Sequence, residues 1–130
     1  MDGAAGTTVE GRRFAIEAAR IADADHCEDV VVLDLRGISP VCDYFVIGTG
    51  TSDRQMRAVI DHIDEYARRA GQSRFGLDGY QQAEWILADY VDVVVHIFTP
   101  EARAYYDLEL LWGDAEHVTA LHGPGAQHAP

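Results

Sequence analysis

Trp85-Ile86-Leu87-Ala88-Asp89-Tyr90-Val91-Asp92-Val93-Val94-Val95-His96-Ile97-Phe98 reads as two short strands about a tight turn. Thr99-Pro100-Glu101 then supplies a cap, a proline at the first helical position and an acid in the first turn, so a helix opens there and runs to Trp112. Much of the chain's apolar weight lies in this hairpin and helix. They hold no nucleophile–base pair, ligand cluster or phosphate loop, which is the composition of a segment made to touch a partner.

Upstream, Ser52 and Gln55 stand at the spacing of a capping box and open the clearest helix. Its apolar stripe is Met56, Val59, Ile60, Ile63, Ala67 and Ala70, and Gly71 is placed to end it. The continuous run Val30-Val31-Val32-Leu33-Asp34-Leu35 predicts a strand covered on both faces. Gly37-Ile38-Ser39-Pro40 breaks it, and Asp43-Tyr44-Phe45-Val46-Ile47 predicts a second strand. Phe14, Ala18, Ile21 and Ala22 recur at helical spacing and predict a helix over roughly 10–25. Residues 72–80 read as irregular, with room for one short strand near Arg74-Phe75. Residues 1–8 and 115–130 carry no periodicity and read as disordered, leaving a domain over 9–114. The expected class is α/β (α+β): a mixed sheet of about five strands flanked by helices.

A chain of 130 residues fits one domain. No apolar run approaches the ~20 residues of a spanning helix. The N-terminus lacks a signal peptide's basic and apolar regions, and Cys27 and Cys42 show neither metal spacing nor a CxxC pair. A cytoplasmic protein with reduced thiols is expected. The net charge of −12 repels phosphate backbones and anionic membranes, so neither nucleic acid nor membrane is an expected partner. The same charge suits a basic protein partner, and equally serves solubility.

Several residues invite a catalytic reading. Gly48-Thr49-Gly50-Thr51-Ser52 lies between a strand and a helix N-terminus, where phosphate can bind. Asp53 replaces the third glycine of a dinucleotide fingerprint, however, and already complements the helix dipole. A nucleotide-binding or nucleotidyltransferase-like enzyme using this loop stays as the alternative. Asp89 and Asp92 more naturally bracket the hairpin turn than join Asp43 around a metal. His96 in an apolar strand reads as a core residue, and the Cys42 thiol beside Asp43 is a poor nucleophile. No catalytic residue, cofactor or metal is therefore assigned. Trp85, Tyr90, Tyr105, Tyr106 and Trp112 form an aromatic set, part core and part candidate interface. Strand alternation puts Trp85 and Leu87 on one face and Ile86 and Ala88 on the other, without saying which face is outside.

Taken in order, several motifs resemble the ribosomal silencing factor (Iojap-like) family. They are Gly48-Thr49-Gly50-Thr51-Ser52-Asp53-Arg54-Gln55, Asp61-His62-Ile63, Trp85-x-Leu87-x-Asp89-x-x-Asp92-Val93-Val94-Val95-His96, and Tyr106-x-Leu108-Glu109-x-Leu111-Trp112. The similarity covers about residues 10–114. It implies a nucleotidyltransferase-like fold without enzymatic activity, homodimeric when free. It implies docking on the large ribosomal subunit through ribosomal protein L-fourteen, which hinders subunit joining and lowers translation when nutrients are scarce. It also implies partner contacts at Trp85, Leu87, Ala83 and Tyr90. One departure is Val91, where the family usually has glycine. A β-branched residue resists positive φ, so a turn of different shape or length is expected.

Overall fold

A computed structural model describes residues 2–118. In chain order the elements are α1 (Asp2–Ala24), β1 (Glu28–Asp34), β2 (Tyr44–Thr49), α2 (Asp53–Arg69), β3 (Gly76–Asp78), β4 (Trp85–Asp89), β5 (Val93–Phe98), α3 (Pro100–Tyr106), α4 (Leu108–Leu111) and β6 (Glu116–His117). The strands form one mixed sheet in the order β3-β4-β5-β2-β1-β6. β2 and β5 run parallel in the middle, and every other pairing is antiparallel.

The expected class and element order hold, with three differences. A sixth strand, Glu116–His117, pairs with Leu33 and Asp34 inside the segment read as a disordered tail. Val118 extends the contact by donating its N–H to the Val32 carbonyl. Two paired residues are too few to leave a periodic signal. Residues 119–130 lie outside the described part. At the other end α1 begins at Asp2, so residues 2–8 continue the helix instead of forming an irregular lead. Finally, the helix expected to run to Trp112 breaks at Asp107, whose φ of 46° ends α3 while its side chain receives the N–H of Leu110 at the start of α4.

α1 and α2 lie on one face of the sheet. Phe14, Ala15, Ala18, Ala19 and Ala22 of α1 meet Met56, Val59, Ile60, Ile63 and Ala67 of α2 over Val32, Val46, Ile86, Ala88, Val93, Val95 and Ile97. The small residues of α1 let its backbone approach the strands closely. α2 starts as expected, with the Gln55 N–H donating to Ser52 Oγ at 3.0 Å. The returning arm of the box is shifted by one residue: Gln55 Oε1 accepts from the Thr51 N–H at 2.9 Å. Gln55 Nε2 also donates to the Asp25 carbonyl, tying the corner after α1 to the start of α2.

The β4–β5 turn corrects the expectation for Val91. Val91 adopts φ 76° itself, inside a three-residue turn in which the Asp92 N–H donates to the Tyr90 carbonyl at 3.0 Å. Asp89 steadies it by accepting the Val91 N–H at 2.7 Å, the bracketing role read from the sequence. The strand register needs this shape, so the β-branched residue takes on the strain.

Val91 is more than half exposed and its side chain contributes little packing. Val91→Gly therefore relieves left-handed strain, partly offset by the greater freedom of glycine in the unfolded chain. We expect a gain of roughly 1 kcal/mol, read as a higher urea midpoint at unchanged m-value. A midpoint at or below that of the wild type would show the turn to be unstrained.

Candidate functional site

β4 shows a clean alternation: Ile86 and Ala88 are buried against the helices, while Trp85, Leu87 and Asp89 are half-buried on the opposite face. The register then defines what surrounds Trp85. Across β5, Phe98 stands opposite Trp85, His96 opposite Leu87 and Val94 opposite Asp89. One strand further, Phe45 lies beside Val94, Ile47 beside His96 and Thr49 beside Phe98.

α3 and α4 cover only part of this face. Leu108, Ala102 and Trp112 lie over Leu33, Ile47 and Phe98, while Phe45, Trp85 and Val94 remain half-buried at the margin. Thr99 sets the direction of α3 by accepting the Ala102 N–H at 3.1 Å, with Pro100 in the first turn. Arg103 holds the pair of short helices down. It donates twice to the Glu109 carboxylate at 3.0 Å and once to Thr49 Oγ1 at 2.9 Å, and its side chain is only 13% exposed.

A continuous aromatic seam results. The Trp85 ring lies 4.5 Å from Tyr106 and 5.0 Å from Phe98, Phe45 lies 4.4 Å from His96, and Trp112 lies 6.1 Å from Phe45. The Trp85 indole N–H donates to His96 Nδ1 at 3.0 Å, which fixes the ring's orientation. Tyr105, Leu110 and Leu111, each more than two-thirds exposed, extend the apolar surface along α3 and α4. Glu84 and Glu101 flank a groove that also takes in Thr99, Ala102, Tyr105 and Tyr106. Exposed apolar rings bordered by carboxylates suit a protein partner carrying basic side chains.

Of the four contact residues expected from sequence, the structure brings two together on this face: Trp85 and Leu87. The other two lie elsewhere. Ala83 is buried at 4% exposure in a left-handed turn, its N–H donating to the Gly79 carbonyl. That turn brings Gly79 against the start of β4, where a Cβ would fall 2.0 Å from the Trp85 carbonyl, so only glycine fits. Tyr90 is buried on the helical side, its ring 5.0 Å from Phe14 and its hydroxyl donating to Asp64. Neither presents a side chain to the face that carries Trp85. Sequence reading missed Phe45, Val94, Leu110 and Leu111. The parallel register that places Phe45 beside Val94 was the signal, and it depends on a pairing between distant strands.

The glycine loop of the alternative reading is closely packed. A Cβ on Gly50 would lie 2.1 Å from Met56 Cγ, so the space in the glycine loop is filled by the protein's own methionine. The Thr51 N–H, which a phosphate would need, is bonded to Gln55. Asp43 and Asp92 meet through backbone, the Asp43 N–H donating to the Asp92 carbonyl at 2.8 Å. Among the described residues no group of three or more His, Cys, Asp or Glu is arranged to hold a metal ion. Burial first, and then Asp43, pushes the Cys42 thiol up to about 11; burial does the same to Cys27. Among the described residues no helix is long and apolar enough to cross a membrane.

Residues 8–129 match the family described as ribosomal silencing factor during starvation. The chain belongs to the ribosomal silencing factor family. It is 45% identical over 98 residues to the ribosomal silencing factor of Bacillus subtilis, covering 75% of this chain and 83% of that one. A crystal structure of a Chromobacterium violaceum protein superposes with a TM-score of 0.72 at 35% identity, over 80% of this chain and 84% of that one. More distantly, it is 27% identical to a mouse protein named mitochondrial assembly of ribosomal large subunit protein 1, over 78% of this chain and 46% of that one. The mixed sheet seen here is thus that of the silencing factor family.

In this silencing factor fold two histidines respond oppositely to pH. Burial pulls His96 down to about 3, so acidification through about 6.5 protonates this side chain in the unfolded chain only and stability falls. At pH 5 that deficit is roughly 2 kcal/mol. His62 is raised, chiefly by its hydrogen bond to Asp25 at 2.6 Å, so its contribution is present below pH 6.5 and fades as pH rises through its folded value. Urea midpoints at pH 7 and pH 5 check this. His96→Asn should lose about 2 kcal/mol less on acidification than the wild type, and equal losses would contradict the buried neutral imidazole.

Proposed function

We propose that this silencing factor represses translation by occupying the large ribosomal subunit and obstructing entry of the small one. The contact is made by the half-covered face of β4. What carries this reading is the pairing of family membership with a half-covered aromatic seam whose central indole is fixed in place. The partner is ribosomal protein L-fourteen, and the free protein is a homodimer in the cytoplasm. The family description, which names starvation, and the mouse relative, whose name refers to the ribosomal large subunit, both support the direction of the assignment.

Electrostatics favours a protein surface over bare RNA. All ten cationic residues of the chain are arginines, and several are engaged in holding elements together. Arg36 pairs with Asp34, Arg68 and Arg74 converge on Asp64, Arg57 donates to the carbonyls of Tyr80 and Gln81, and Arg103 holds Glu109. The planar guanidinium suits these fixed pairings. The excess of carboxylates faces outward and steers the chain toward a basic protein while rRNA repels it. Steric obstruction needs no turnover, nucleotide or metal.

Sedimentation with purified ribosomal subunits tests the surface. Trp85→Glu places a charge in the aromatic seam and should weaken comigration with large subunits at least tenfold, about 1.4 kcal/mol or more. Arg13→Ala, on the helical side, should bind as the wild type does. If Trp85→Glu comigrates normally, this face is not the contact surface. The steric mechanism has its own check: protein added at saturating amounts should slow subunit joining in light scattering, and unchanged joining would refute it.

A further inference from the structure

Among the described residues, His96 Nε2 is the buried side-chain atom without a hydrogen-bond partner. Burying a polar atom unpaired is unfavourable, so such a group calls for an explanation. The ring is 3% exposed and lies among apolar neighbours, with Phe45 edge-on at 4.4 Å and Phe98 parallel at 6.1 Å. Its strand is otherwise valine, isoleucine and phenylalanine. A leucine at this position would fill the space without burying an unpaired ring nitrogen.

The one thing the imidazole provides that leucine cannot is an acceptor for the Trp85 indole N–H, 3.0 Å from Nδ1. An accepting Nδ1 carries its proton on Nε2, so the tautomer that serves Trp85 is the one that strands Nε2. The hydrogen bond is also diagonal. Trp85 is registered opposite Phe98 and His96 opposite Leu87, so the bond draws the indole along the sheet toward Leu87. Tyr106 closes on the ring at 4.5 Å.

We infer that His96 is a positioning residue of the docking face, holding the Trp85 indole in the one orientation that meets the partner. An anchor fixed before contact loses less freedom on binding, so affinity is gained without a further contact. This rests on the reading of the β4 face as the contact surface.

Three variants of the full chain test it: His96→Leu, which removes the acceptor, His96→Asn, which restores an oxygen near the Nδ1 position, and Trp85→Phe, which keeps an aromatic ring without the N–H. The readouts are the indole N–H resonance with its solvent-exchange rate, and affinity for purified large subunits. In His96→Leu the indole signal should shift and exchange at least tenfold faster, with thermal stability equal to or above the wild type. Its affinity should fall five- to tenfold through faster dissociation. His96→Asn should keep slow exchange and bind within twofold of the wild type, and Trp85→Phe should match the loss in His96→Leu. The inference is overturned if His96→Leu binds as the wild type does, or if His96→Asn folds yet loses as much affinity as His96→Leu. Should His96→Leu fail to fold, the other two decide: wild-type binding by Trp85→Phe overturns it, and retained binding by His96→Asn with loss in Trp85→Phe supports it. Loss in Trp85→Glu alongside intact His96→Leu refutes the positioning role alone. Normal binding by Trp85→Glu removes the docking surface and this inference together.

Discussion

A sheet whose two central strands are apolar on both sides must be covered twice, and that requirement shapes the rest of this molecule. β2 and β5 lie parallel at the centre, and parallel neighbours cannot be joined by a tight hairpin. The connection between them includes α2, which lies beside α1 on a single face. The two long helices, of 23 and 17 residues, are thereby placed on the same side. Among the described residues only α3 and α4, of seven and four residues, are left for the other. The second face is under-covered by construction, and its uncovered margin is where Phe45, Trp85, Leu87 and Val94 stand.

Charge is distributed by the same logic of scarcity. Arginines act as internal clamps: Arg103 fastens the short helices to β2, Arg74 binds the loop before β3 to Asp64 of α2, and Arg68 pairs with the same carboxylate from within the helix. Cations held in this way leave carboxylates to dominate the exterior. The acid therefore reports on which partners are permitted, and the aromatic seam on where they sit.

Local signals were legible. The Ser52–Gln55 cap, the stripe of α2, the Thr99-Pro100 start and the Asp89 turn contact could each be read from residues three or four apart. Strand parity also held, and pressed further it places Tyr90 correctly, since positions 86, 88 and 90 share a side and all are buried. Ala83 falls off the Trp85 face because the strand begins after it, behind a left-handed turn that resets the alternation. The break at Asp107 and the strand at Glu116–His117 were hidden for a different reason. One is coupled to the Arg103–Glu109 pair and the other to the free edge of β1, both long-range demands on stretches with no period of their own. Which side of β4 faces out depended on where two distant helices lay.

The sheet ends in strands of three and two residues, β3 and β6. Short edges offer few unpaired backbone groups, so another chain finds little to extend by strand addition. Recognition through the sheet must then be face-on and written in side chains, with shape and charge deciding the partner. A protein that displays tryptophan, tyrosine and leucine to solvent can in this way avoid polymerising edge to edge, and keep its apolar surface for one complementary body.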